Sequence, residues 1–294
     1  GLLAWLKHAI GEAGDGTVAG RAGLGFIGVK LYPPMGFRPL GNADLAAGQF
    51  PPKLRQLAAS HGKPPGRMLD DAMSELFAWC AAEDVPVMAH CSASNFPHVS
   101  WASTPPGMRS ADPAHWRRVL ERWPSLRLNL AHSGGLMIAE CARATGSLGW
   151  LDAVYALCDD PAYPNVYADV GDFTEIFAQG RSDEADAITT RIGDALAGHA
   201  GAAGRILYGS DWIMQARLRG HQAYLTAMHD RFVPALAARL GSPPDFEDRF
   251  FWRNAQAFLG LQRGSRTLRR LMPFYGEWNG LPPLDRDVLD RFVA

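Results

Sequence analysis

Three apolar runs in this chain stop in the same way. Val85-Pro86-Val87-Met88-Ala89-His90 ends on a histidine and passes into Cys91-Ser92-Ala93-Ser94-Asn95. Leu126-Arg127-Leu128-Asn129-Leu130-Ala131-His132 ends on another and passes into Ser133-Gly134-Gly135. Arg205-Ile206-Leu207-Tyr208-Gly209-Ser210-Asp211 ends on an aspartate. Short runs without a clean polar face are what parallel strands look like when both sides are buried. Each ending carries a group that can bind a metal or move a proton.

The rest of the chain fits around these runs. Residues 2–10 carry Leu2, Leu3, Leu6 and Ile10 at helical spacing, and the glycine-rich run from Gly11 to Gly25 reads as a loop. A strand follows over residues 26–32, with Ile27, Val29 and Leu31 on one face and Gly28, Lys30 and Tyr32 on the other. A Pro/Gly-rich excursion runs from Met35 to about Arg67. Helix patterns over 69–83, from Asp112-Pro113 to Trp123, over 136–158 and over 183–198 separate strands ending at His90, at His132, over 165–170 and over 205–209. Further helices are expected over 221–240 and 246–259, and from Arg263 the chain reads as a basic, then Pro-rich tail. Strand followed by helix, five times over, is the pattern of an α/β parallel sheet covered by helices. The longest loops, 33–67, 91–111 and 171–182, follow strand ends, which is where a β/α barrel builds its active site. The spacing Gly23-Leu24-Gly25-Phe26-Ile27-Gly28 runs into a strand pattern instead of opening a helix, so it is not a dinucleotide fingerprint, and no GxxxxGK[ST] motif occurs.

Composition excludes several classes. The 294 residues are 47% hydrophobic, ample for one large core. The formal net charge is −1, which argues against nucleic acid or an anionic membrane as partner. No apolar run reaches the ~20 residues that a membrane helix needs. The first eight residues make a poor signal peptide. Cys80, Cys91, Cys141 and Cys158 show no C-x-x-C spacing and read as reduced thiols of a cytoplasmic protein. A small-molecule substrate is the expected partner, and a homo-oligomer is compatible with this composition. Residue 1 is glycine rather than methionine, from which a segment of a longer chain is expected.

A parallel sheet brings strand ends that are ~40 to ~80 positions apart in sequence to one mouth. His90, His132 and Asp211 are therefore the candidate metal ligands, since imidazole and carboxylate suit zinc and similar divalent ions. Asp211 and His132 are also the candidate catalytic groups, one taking a proton from water and the other polarising an electrophile. The alternative is that each is a satisfied polar cap of its strand. Lys30 shares a face with Tyr32, and Tyr32, Arg38 and Asn95 sit where they can read a substrate carboxylate; for Arg38 the alternative is a solvated surface role. Lys30 can instead pair with a carboxylate such as Asp169. Cys91 adjoins His90, but neighbouring strand residues face opposite ways, so a Cys/His nucleophile is not expected. Ser210 lacks the G-x-S-x-G elbow. His98, His115, His221 and His229 read as surface or packing residues, and the basic run from Arg263 to Arg270 as a solvated helix face.

The motifs Gly28-Val29-Lys30-Leu31-Tyr32-Pro33-Pro34, the strand to His90, Leu130-Ala131-His132-Ser133-Gly134-Gly135, Asn165-Val166-Tyr167-Ala168-Asp169, Leu207-Tyr208-Gly209-Ser210-Asp211-Trp212 and the closing Asn254 to Leu261 helix resemble the amidohydrolase-related metal-dependent hydrolases. The likeness covers roughly residues 20–262 and implies a distorted (β/α)8 TIM-barrel-like fold with about five β/α units present. A partial barrel over 1–262 followed by a tail over 263–294 is the expected organisation. The resemblance implies metal ligation by His90, ligation or catalysis by His132, and ligation with proton transfer by Asp211. It implies a metal-dependent hydrolase, most simply with zinc. A non-oxidative decarboxylase on the same scaffold, or a relative that only binds, are the alternatives. In some relatives a carboxylated lysine bridges two metals at the position of Lys30; a substrate contact or structural role is the other reading. The family's first strand carries a His-x-His pair, and no His-x-His occurs in this sequence. The expectation is that the first three strands are absent, that the remaining site holds metal weakly, and that the chain is inactive by itself.

Overall fold

The computed structural model describes residues 1–14, 19–21, 23–92, 110–135 and 150–277. Its strands are β1 (Glu12–Gly14), β2 (Ala19–Arg21), β3 (Val29–Leu31), β4 (Val87–His90), β5 (Leu128–Ala131), β6 (Val166–Asp169) and β7 (Ile206–Leu207). β3 to β7 form one sheet in chain order, and each neighbouring pair is parallel. Helices Pro65–Glu83, Ala114–Arg122, Trp150–Asp159 and Ser182–Gly198 fall between successive strands of that sheet. This is the α/β architecture that the alternation of patterns implied.

Register separates the two faces. Val29, Val87, Leu128 and Val166 lie side by side, as do Leu31, Ala89, Leu130, Ala168 and Ile206. These rows face the main core, where Phe77, Trp116, Val119, Tyr155 and Ile192 come from the covering helices. Alternation sends the other row, Lys30, Met88, Asn129 and Tyr167, to the opposite face, together with His90 and Asp169 two positions further along their strands. That second face is polar at its strand ends. Its lower part is closed by Phe258 from helix Asn254–Leu259, which packs with Tyr167 and Leu207.

Helix Pro65–Glu83 starts with proline at its first position, where the missing N–H costs nothing. It buries Met73, Leu76, Phe77 and Cys80 and stops at Asp84, which is left-handed at φ 56°. Three arginines converge on that stop. Arg127 pairs with the Asp84 carboxylate through Nε at 2.5 Å and Nη2 at 3.0 Å. Arg270 donates to the carbonyls of Glu83 at 2.6 Å and Asp84 at 3.3 Å, and Arg266 donates to Ala82 O at 2.9 Å and to Glu83. Cations at a helix C-terminus satisfy carbonyls left without intrahelical partners and complement the helix dipole.

Those contacts correct the reading of the basic run. Arg263 to Arg270 is only partly a solvated face: Arg263 and Arg269 are exposed, but Arg266–Glu277 is a helix in which Thr267 is fully buried and Arg270 is 2% exposed. The helix docks through guanidinium–carbonyl bonds together with buried Leu271. Two other loops also hold structure. The run from Gly11 to Gly25 contains the antiparallel pair β1–β2, and the 35–67 excursion contains helix Pro52–Ser60. The last strand is shorter than expected, because its backbone is met by the following helical segment rather than by a ladder. Asn254 Nδ2 donates to Ile206 O at 2.8 Å, and Tyr208 N–H donates to Phe250 O at 2.8 Å. The expected helix over 221–240 is broken in register: Met228–Phe232 is π-helical just before Pro234, whose ring cannot continue the α ladder. Asn95, His98, Cys141 and the helix expected over 136–149 lie outside the described residues.

Candidate functional site

His90 ends β4 and His132 directly follows β5, on neighbouring strands whose ends are in register at His90 and Ala131. The two imidazoles stand 4.7 Å apart between centroids, edge to face. Tyr32, just beyond β3, packs on the other side of His90 at 4.5 Å. Parallel pairing thus assembles three side chains from positions that are remote in sequence.

Each imidazole is tied to backbone by one nitrogen. His132 Nδ1 lies 3.0 Å from the carbonyl oxygen of Gly171. A carbonyl only accepts, so Nδ1 carries a proton, and in the neutral ring Nε2 keeps its lone pair. His90 Nε2 is buried and has no hydrogen-bond partner among the described residues, while the ring is hydrogen-bonded to the Ser92 backbone. Burial pulls the His90 pKa down to about 3, reinforced by His132 and Lys30, and the Ser92 bond opposes it. A neutral ring with an orphaned ring nitrogen is a poor packing residue and a good ligand.

The floor of the site is built around Asp169, at the end of β6 and 6% exposed. Its Oδ1 accepts the backbone N–H of His132 at 2.9 Å and of Gly171 at 2.9 Å, and its Oδ2 accepts Asn129 Nδ2 at 2.6 Å. Ser133 Oγ donates to the Asp169 carbonyl at 2.7 Å. Glycines pack closely beside it: a Cβ on Gly171 would lie 3.0 Å from Asp169 Oδ1, and one on Gly209 would lie 3.2 Å from the same atom. Four non-glycine residues around this carboxylate hold positive φ: His132 (69°), Ser133 (48°), Asp172 (67°) and Asp211 (48°). Such conformations cost roughly 1–3 kcal/mol each and cluster where a site is held in a set geometry.

Asp211 reaches the same mouth from β7. Its backbone nitrogen is 3.8 Å from where a Gly171 Cβ would stand, and its charge acts on Lys30 and on Asp172. The residue itself is exposed and heads the short helix Trp212–Gln215 without a side-chain capping bond. Desolvation raises the Asp172 pKa, with Asp211 and Glu175 adding to the rise and His132 opposing it. Lys30 stands at the open flank of the sheet. Desolvation by its surroundings lowers its pKa, opposed by the carboxylates of Asp169 and Asp211, and its own exposure limits the effect. Arg38 is not brought to this group. Its backbone N–H and carbonyl are bound by the side chain of buried Asn42, and its guanidinium lies 3.4 Å from Gly41 O. Cys91 is buried on the opposite side of the strand from His90, with Sγ 3.5 Å from Ala111 O.

The unpartnered Nε2 of His90 is a donor of the kind that a divalent cation takes. Among the described residues no group of three His, Cys, Asp or Glu side chains is placed to hold one, and Asp211 is exposed. Asp169 and Asn129 were not singled out from the sequence as parts of the site. Both left a signal: Asp169 is another strand-end acid, and Asn129 is a lone amide within an otherwise apolar strand.

Comparison with known proteins agrees with the motifs. A solved amidohydrolase from Burkholderia multivorans with bound zinc is 14% identical, with a TM-score of 0.41, over 64% of this chain and 56% of that one. Amidohydrolase 2 from Bifidobacterium longum subsp. infantis is 18% identical, with a TM-score of 0.35, over 61% and 51%. An uncharacterised TIM-barrel protein from Bordetella bronchiseptica is 18% identical, with a TM-score of 0.29, over 57% and 51%. The chain thus spans about half the length of these proteins. No curated protein matches it. The family model described as amidohydrolase matches residues 17–261, which include β3 to β7 and every strand-end group described above. The chain belongs to the amidohydrolase family.

Proposed function

We propose that this chain carries part of the active site of a metal-dependent hydrolase acting on a small molecule, and that its sheet is an arc of a (β/α)8 barrel. The observation that carries the reading is the pair of imidazoles at adjacent strand ends, 4.7 Å apart, with His132 tied to backbone through Nδ1 and His90 keeping a buried Nε2 without a partner among the described residues. A bound divalent cation such as zinc supplies Lewis-acid polarisation and lowers the pKa of water toward ~7. His90 and His132 would hold it through Nε2, and Asp211 would join them and take the proton of the attacking water. Lys30 and Tyr32 flank His90 and would bind an anionic or polar part of the substrate. With two nitrogens in place and Asp211 solvent-exposed, retention of metal by this chain should be weak.

The test has two arms. Zinc titrated into metal-stripped protein should bind weakly but saturably, and His90→Ala should lower the affinity ~10-fold or more. Hydrolysis of lactones, esters and amides is then followed beside carbon dioxide release from carboxylic acids, in protein that carries all eight β/α units. Zinc-dependent hydrolysis that falls ~100-fold or more in Asp211→Asn supports the proposal. Saturable zinc binding unchanged in His90→Ala, or turnover indifferent to chelator, rejects it. Carbon dioxide release without hydrolysis replaces it with the lyase reading.

A further inference from the structure

The His132 ring is fixed by a backbone carbonyl, and that carbonyl is itself held in place. Gly171 supplies the oxygen at 3.0 Å from Nδ1, and the Gly171 N–H is bound at 2.9 Å by Asp169 Oδ1. The same oxygen binds the His132 N–H at 2.9 Å. One buried carboxylate oxygen therefore grips both ends of the contact: the residue that carries the ring and the residue that orients it. Asn129 Nδ2, on the strand between His90 and Asp169, holds the second oxygen at 2.6 Å and keeps the carboxylate from rotating. The backbone on either side is left-handed at His132, Ser133 and Asp172, so these turns need outside bonds to persist.

We propose that Asp169 is the positioning residue of the site, the group that sets which nitrogen of His132 is free to bind. Its charge is delivered to two backbone N–H groups, so it acts through geometry and need not touch a substrate or an ion. Without those two bonds, the 169–172 turn and the His132 backbone lose their common anchor. The Nδ1–H···O=C contact then opens and the ring samples both tautomers. The Nε2–H tautomer has no lone pair at that nitrogen. This inference rests on the metal-site reading for its affinity arm only.

Long-range nitrogen–proton correlation spectra of the histidine rings test it in the metal-free chain. The unaltered protein should show His132 as the Nδ1–H tautomer, with scalar couplings from the His132 and Gly171 amides to the Asp169 carboxylate carbon. Asp169→Ala should give a mixture of tautomers and weaken zinc binding ~10-fold or more. Asp169→Asn keeps an oxygen for both amides and should restore the single tautomer. Ser133→Ala, which cuts the 2.7 Å bond to the Asp169 carbonyl but spares both Oδ1 bonds, should leave the tautomer alone. The proposal is overturned if Asp169→Ala folds with an unchanged His132 tautomer, or if Ser133→Ala shifts the tautomer as much as Asp169→Ala does. If Asp169→Ala does not fold, the unaltered chain decides, and an Nε2–H tautomer or missing couplings overturns the proposal. Absence of zinc binding with the tautomer effects intact would sink the metal reading and leave this one standing.

Discussion

At the scale of single residues, the site is a set of polar groups whose partners are assigned before any ligand arrives. His90 is the most exposed to test, because its pKa is pulled from the ordinary 6.5 down to about 3 by burial, with His132 and Lys30 adding to the effect. The folded state then binds that proton more weakly than the unfolded chain does. Between about pH 6.5 and 3 the unfolded chain carries more protons, so stability falls as pH falls through that window. Chemical denaturation of the metal-free protein at a series of pH values should show this slope, and His90→Gln should flatten it. An unchanged slope would mean that His90 is not buried as a neutral ring. His132 and Asp169 form the complementary case, where hydrogen bonds to fixed backbone groups decide which atoms remain available. That arrangement was legible only in part. The histidines and Asp211 could be picked out because each ends an apolar run, but the bond from a carboxylate to the amides of residues 132 and 171 depends on turns with positive φ at non-glycine positions. Nothing in the residue types announces a left-handed His132.

At the scale of elements, apolar periodicity found what it was suited to find. Helices Leu2–Ile10, Pro65–Glu83 and Ser182–Gly198 and the five strands of the parallel sheet follow their hydrophobic patterns, since burial of one face drives them. One element that the sequence reading left as a tail is anchored by polar contacts. Helix Arg266–Glu277 docks by placing Arg270 on the carbonyls of Glu83 and Asp84, with Thr267 Oγ1 accepting from Arg270 at 2.9 Å. Its removal strands those half-buried carbonyls. Arg270→Met should therefore cost about 1–3 kcal/mol in urea unfolding. Arg269→Ala, at an exposed position of the same helix, should stay within about 0.5 kcal/mol. Equal effects from the two would show that the basic run is solvated after all. Arg38 carries the same lesson in reverse. It was placed at the mouth by its loop, whereas Asn42, anchored on Asp70 at 2.8 Å, turns the chain and binds both backbone polar groups of Arg38.

At the scale of the whole molecule, one face of the sheet supplies stability and the other supplies chemistry. The covered face is a continuous apolar core reaching from Phe77 and Trp116 to Phe232 and Phe250. The opposite face gathers Asn129, His90 and Asp169, whose burial is offset by hydrogen bonds or left as unused ligand capacity, with exposed Lys30 at its flank. No helix among the described residues is long and apolar enough to cross a membrane. The central claim is that Nε2 of His90 and Nε2 of His132 face one cation. Crystals grown with millimolar zinc and measured at the zinc absorption edge address it directly. The expected result is an anomalous peak about 2.0–2.1 Å from both nitrogens, with the Asp211 carboxylate drawn toward it. A zinc peak found only elsewhere, or bound by His132 with His90 turned away, would contradict it.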